Sequence, residues 1–153
     1  MPLNIKDLRI AALQFGFDER IPDAHAADFG NVPPDLEISG VPAGAAELAV
    51  IVHDPDAPLP NGFTHWVVYG IAPTTTQIGS TDGDELYRQG PNSLGEDSYF
   101  GPQPPPSHGV HHYYFWVYAM DVPVVGNPSR EEFLARYGDN IIEQNRLVGT
   151  YST

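Results

Sequence analysis

A chain of 153 residues with 41% hydrophobic content can bury one core and is short for two. The absence of Cys excludes a disulfide framework and a thiolate metal site, and 20 acidic residues against 7 basic ones, a formal charge of -13, exclude a surface built for nucleic acid or anionic membranes. Gly 15 and Pro 16, with no regular period, favour a loop-rich β architecture over a helical bundle.

The segment Met1-Pro2-Leu3-Asn4-Ile5-Lys6-Asp7 lacks the basic stretch and apolar core of a secretory signal, and no apolar run approaches a membrane span. A single cytoplasmic domain over residues 1–153 is therefore expected. The acidic excess fits either codon bias in a GC-rich genome or adaptation to a high-salt cytoplasm, a halophile's solution to solubility.

In chain order, Leu8-Arg9-Ile10-Ala11-Ala12-Leu13 is equivocal between strand and helix on periodicity. Residues 21–36, dense in Pro, Asp and Gly, predict an irregular crossing over a sheet. Leu48-Ala49-Val50-Ile51-Val52 is a continuous apolar run, the pattern of a strand buried on both faces, and it ends at a polar corner, His53-Asp54-Pro55-Asp56-Ala57-Pro58. His65-Trp66-Val67-Val68-Tyr69-Gly70-Ile71 predicts the next strand, with His65 at its entry, and residues 72–85 a surface loop or edge.

Gly101-Pro102-Gln103-Pro104-Pro105-Pro106-Ser107-His108-Gly109-Val110-His111-His112-Tyr113 follows. Its prolines fix φ and bias their predecessors to extended backbone, so residues 103–106 form a stiff wall. From His111 an aromatic run through Met120 reads as a central strand. Alternation puts His111, Tyr113, Phe115, Val117 and Ala119 on one face and His112, Tyr114, Trp116, Tyr118 and Met120 on the other. Ser129 and Glu132 spell a capping box for a helix with Phe133, Leu134 and Tyr137 on its apolar face and Gly138 as its stop. Residues 139–145 suit a further helical turn, and Leu147-Val148-Gly149-Thr150-Tyr151 a closing strand.

Five of the six histidines, His53, His65, His108, His111 and His112, fall between two strand ends and the proline loop, beside Asp54 and Asp56. They can be scattered polar residues at strand ends, a metal site, or an anion pocket in which imidazoles and loop amides donate to an oxyanion while a carboxylate orients a ring. No helical His pair or Cys/His knuckle is present, so no metal and no cofactor are expected. Ser107 beside His108 raises a nucleophilic hydrolase, but the Gly-x-Ser-x-Gly elbow is missing and no catalytic residues are assigned.

The order and spacing of Asp54-Pro55-Asp56-Ala57-Pro58, of His65-Trp66-Val67-Val68-Tyr69, and of the stretch from Gly101 to Tyr113 closely resemble the paired signatures of the phosphatidylethanolamine-binding protein (PEBP) family, also called Raf kinase inhibitor proteins. The likeness runs from about Ile21-Pro22 to Gly149-Thr150-Tyr151, and the compact length is similar to the bacterial and archaeal branch. The resemblance implies a mainly β sandwich: a large central antiparallel sheet, a smaller sheet, and one or two short helices. It also implies a pocket for phosphoryl or carboxylate groups, with Asp54, His65, Pro104, Pro105, His111 and Tyr113 on its motif positions and Asp56, Gly101 and Gly109 supporting them.

Two departures stand out: His112 where the family usually has Arg, and Ser107 where it usually has Gly. The chain stops two residues after Tyr151, without the C-terminal helix of mammalian members, which implies a more open site. The expected protein is a non-enzymatic binding or inhibitory module. Its partners would be a small phosphorylated or carboxylate ligand and a kinase or protease target, with no nucleic acid and no membrane span; a homodimer is left open. The alternative is a hydrolase or lyase using the same His and Asp residues.

Overall fold

The structure, a computed structural model, describes residues 5–79 and 87–153. Its strands are β1 (Arg9–Ala12), β2 (Glu19–Arg20), β3 (Leu36–Ser39), β4 (Glu47–Asp54), β5 (Phe63–Ile71), β6 (Gln77–Ile78), β7 (Arg88–Gly90), β8 (His111–Met120) and β9 (Ile141–Tyr151), and its helix is α1 (Arg130–Tyr137). They form a three-stranded sheet, β1-β3-β6, and a six-stranded sheet, β2-β9-β8-β4-β5-β7. The fold is mainly β, as the resemblance implies. The large sheet is antiparallel except at one edge, where the two residues of β2 pair in parallel with Gly149 and Thr150.

β4 lies between β5 and β8 and is buried along its whole length, because both faces of the large sheet are covered there. On one face Leu48, Val50 and Val52 pack with Tyr113, Phe115, Val117 and Ala119 against Leu8, Ile10, Leu36, Ile38 and Ile78 of and beside the small sheet. On the other, Ala49 and Ile51 pack with Val67, Tyr69, Tyr118 and Met120 against Phe133 of α1. The period-two alternation of β8 thus divides its aromatic run between two cores.

Ser129 caps α1 as a full capping box: its hydroxyl accepts from the Glu132 amide at 3.3 Å, and the Glu132 carboxylate accepts from the Ser129 amide at 3.1 Å. Gly138 does not stop the chain in a left-handed cap. It keeps right-handed backbone, φ -53 and ψ -39, and continues into a single 3-10 turn, Gly138–Asn140.

The helical turn expected over residues 139–145 is therefore confined to that turn, and from Ile141 onward the chain is strand. Long-range contacts override the polar local sequence: the Glu143 carboxylate accepts from the Leu8 amide, and the Asn145 side chain donates to the Leu8 carbonyl at 2.8 Å. The crossing ends in a strand at Leu36, and the expected loop over residues 72–85 contains the short edge strand β6; its positions 80–85 lie outside the described residues.

Candidate functional site

Asp54 is the last residue of β4 and His111 the first of β8, so adjacent strands present both at one end of the large sheet. Both are buried, 2% exposed. Asp54 Oδ2 accepts from His111 Nδ1 at 2.7 Å, and Asp54 Oδ1 accepts from the Asp56 amide at 2.7 Å. The carboxylate therefore has partners on both oxygens. Burial pushes its pKa above the ordinary value, and the His111 and Asp56 bonds oppose that rise.

His65 reaches the same place by a β-bulge. Val52 pairs with Trp66 and His53 with Thr64, which leaves His65 as the extra residue of β5. Strict alternation would put His65 on the face of Val67 and Tyr69; the bulge turns it to the Trp66 side instead. There the ring makes an edge contact with Tyr113, centroids 5.1 Å apart. Its Nδ1 donates to the Phe100 carbonyl at 2.5 Å, and its own carbonyl accepts from the Phe100 amide at 3.0 Å. Burial lowers the His65 pKa to about 4, so the ring is neutral at pH 7.

The proline wall is fastened to the early crossing. The Gly101 amide donates to Asn31 Oδ1 at 2.6 Å, the Ala27 amide to the Pro102 carbonyl at 3.0 Å, and Gln103 Nε2 to Asp28 Oδ1 at 2.6 Å. Gly101 is required by close approach, since a Cβ there would stand 2.0 Å from the His25 carbonyl oxygen. Beyond the wall, Ser107 (φ 64) and Gly109 (φ 88) both adopt left-handed backbone. The Ser107 departure therefore falls on a position whose geometry suits glycine.

Together these parts enclose a cavity of about 280 Å³ lined by Asp54, Ala57, Pro58, Leu59, Phe63, His65, Leu94, Phe100, Gln103, Pro104, Pro105, His111 and Tyr113. Its floor is polar and its walls are mostly apolar. Tyr113 is 1% exposed and contributes to the lining. Burial and, next, the nearby Asp54 charge raise its pKa, so it stays a neutral donor.

All six expected site residues thus line one cavity. Gly101, Gly109 and Asp56 lie outside the lining and shape the loops around it. His112 points away: its amide and Nδ1 both contact Asp56 Oδ2, at 2.8 and 2.9 Å. Burial acts to raise the Asp56 pKa, but the His112 bonds outweigh it and hold the carboxyl below its ordinary value.

Sequence reasoning left out the apolar walls, notably Phe63 and Phe100, and a contact of His108, whose Nδ1 lies 2.6 Å from His111 Nε2. The spacing His108-x-x-His111 across a Gly turn was the available signal. Among the described residues no cluster of His, Cys, Asp or Glu is arranged to hold a metal ion. No helix among them is long and apolar enough to cross a membrane.

A β-sandwich with a small, buried Asp–His floor at one end of the two central strands of its large sheet, beside a proline wall and a strand corner, defines a class of compact binding proteins. The chain belongs to the phosphatidylethanolamine-binding protein family, whose model matches residues 12–152. It is 38% identical over 145 residues to a UPF0098 protein of Pyrococcus horikoshii, covering 90% of this chain and 73% of that one. It is 40% identical over 149 residues to the Mycobacterium tuberculosis protein LppC, covering 94% of this chain and 72% of that one. In three dimensions it is similar to a PEBP homologue from Chlamydia trachomatis, with a TM-score of 0.87 at 30% identity over 95% of this chain and 97% of that one. Escherichia coli YbcL, described as a member of the mammalian PEBP family, gives a TM-score of 0.87 at 28% identity over 97% and 99%.

Proposed function

We propose that this protein is a non-enzymatic binding or inhibitory module whose cavity takes a phosphoryl or carboxylate group carried on an apolar substituent. The observation that carries the reading is the buried Asp54–His111 pair on the floor of a cavity whose walls are proline and aromatic side chains. Asp54 does not face an anion directly. It holds His111 Nδ1, which leaves Nε2 as the ligand-side atom, and Tyr113 adds a hydroxyl donor on the same strand face. Phe63, Phe100, Pro58 and Leu59 would exclude water, strengthening each polar contact and covering the substituent. In the cytoplasm, such a module would serve as a receptor for a small phosphorylated or carboxylated molecule or for an acidic group on a protein target such as a kinase or protease.

Calorimetry with phenyl phosphate tests this reading on the wild type, His111→Ala, His65→Ala and His112→Ala, with and without chelator. Hydrogen bonds to a charged group contribute about 1.5–3 kcal/mol, so losing His111 should weaken binding by roughly tenfold to a hundredfold and losing His112 far less. Neutral His65, whose N–H is held by the Phe100 carbonyl, has no donor for the anion, and its loss should cost less than that of His111. Loss on chelation would move the site to a metal. Turnover of phenyl phosphate by the wild type, abolished in His111→Ala, would assign the Asp–His pair to a hydrolase or lyase instead.

A further inference from the structure

The anion reading depends on His111 Nε2, and in this structure that atom is occupied. His108 Nδ1 lies 2.6 Å from it, with ring centroids 4.8 Å apart and planes inclined by 55°. His108 does not line the cavity. It sits in the exposed turn after the proline wall, where left-handed backbone at Ser107 and Gly109 brackets it. The His108 amide donates to the Pro105 carbonyl at 3.1 Å, closing the turn on the wall. A polar side chain on an exposed loop thus reaches back to the one buried imidazole nitrogen that Asp54 leaves free.

Two nitrogens at hydrogen-bond distance share one proton. With Asp54 ionised, His111 Nδ1–H donates to the carboxylate, so neutral His111 presents a lone pair at Nε2 and His108 supplies the N–H. We propose that His108 is the resident occupant of His111 Nε2, and that a ligand enters by replacing it with an acidic hydrogen of its own. When His108 swings away it keeps its proton. The ligand's O–H then donates to Nε2, or transfers its proton to give an oxyanion facing Nε2–H⁺ beside Asp54; no other proton donor is needed in either case.

This rests on the anion reading and narrows it. A phosphomonoester, whose second ionisation lies near pH 6, carries such a hydrogen near neutrality. A phosphodiester, the linkage of a phospholipid headgroup, does not. The site therefore selects monoesters over diesters, and His108 sets the threshold for entry.

The test compares phenyl phosphate with methyl phenyl phosphate by calorimetry at pH 6.5, for the wild type, His108→Ala and His111→Ala, with ring-nitrogen NMR of the free proteins. Losing one competing hydrogen bond should tighten monoester binding in His108→Ala by roughly threefold to tenfold. The monoester should outbind the diester in both the wild type and His108→Ala, and His108→Ala should move the His111 ring-nitrogen resonances in the free protein. Unchanged His111 resonances, or monoester binding equal or weaker in His108→Ala, would overturn the occupant role while leaving the anion reading intact wherever the wild type binds and His111→Ala does not. Equal binding of both esters would overturn the acidic-hydrogen requirement. If neither ester binds the wild type or His108→Ala, the anion reading fails and the exchange with it.

Discussion

Replacing His65 by Gln removes a group whose pKa burial lowers from 6.5 to about 4 in the folded chain. Between those values the unfolded chain binds a proton that the folded one refuses, so stability is lost as pH falls through the window, at about 1.36 kcal/mol per pH unit. Integrated to pH 4.5, this single side chain accounts for about 2.5 kcal/mol, a large share of a typical folding free energy of about 5–15 kcal/mol. His53, also lowered to about 4 by burial, adds an effect of the same sign and stays in the variant. Asp54, raised by burial, works the other way, since its folded form takes up a proton earlier than the unfolded chain does. Gln keeps a donor for the Phe100 carbonyl, so the variant isolates titration from the lost hydrogen bond. Urea unfolding at pH 7.5, 6.5, 5.5 and 4.5 should show the gap between wild type and His65→Gln moving by about 2.5 kcal/mol in favour of the variant as the pH falls. A gap that stays constant across the series refutes the assignment of His65 as a ring held neutral by burial.

Gly101→Ala places a methyl against the His25 carbonyl and should cost about 1–3 kcal/mol in thermal unfolding. Gly109→Ala, with open space around it but φ 88, should cost only about 1–2 kcal/mol from backbone strain. With a formal charge of -13, the melting temperature should rise from low salt to molar NaCl as the Debye length shrinks from about 10 Å at 0.1 M to about 3 Å at 1 M. A flat or falling melting curve would remove the support for high-salt adaptation.

What the sequence makes legible are the parts governed by local rules. Alternation assigns His111 and His112 to opposite faces of β8, and the Ser129–Glu132 box marks the start of α1. The rest depends on contacts that no local pattern carries. His65 faces the cavity because of a register shift between Val52 and His53, and a bulge leaves no mark in a strand's own residues. Leu36 and Ile38 alternate as a half-buried strand should, yet four residues are too few to stand out beside Pro33 and Pro34. Residues 143–145 are polar and belong to a strand because the amide and carbonyl of Leu8, 135 and 137 residues away, need partners there. The His108 contact depends on two left-handed residues, of which only Gly109 advertises that geometry.

The pocket's components are far apart along the chain. Asp54 and His111 are separated by 57 residues, and the wall reaches its anchor at Asn31 across 70. Loop closure over such distances is slow relative to local pairing. The cavity is therefore complete only when β4 and β8 have paired and the crossing has been pinned to the wall. A small molecule bridging these groups has no foothold on a half-assembled chain. Occupancy by such a molecule would lower the free energy of the native state relative to every competitor, so binding would report completed folding.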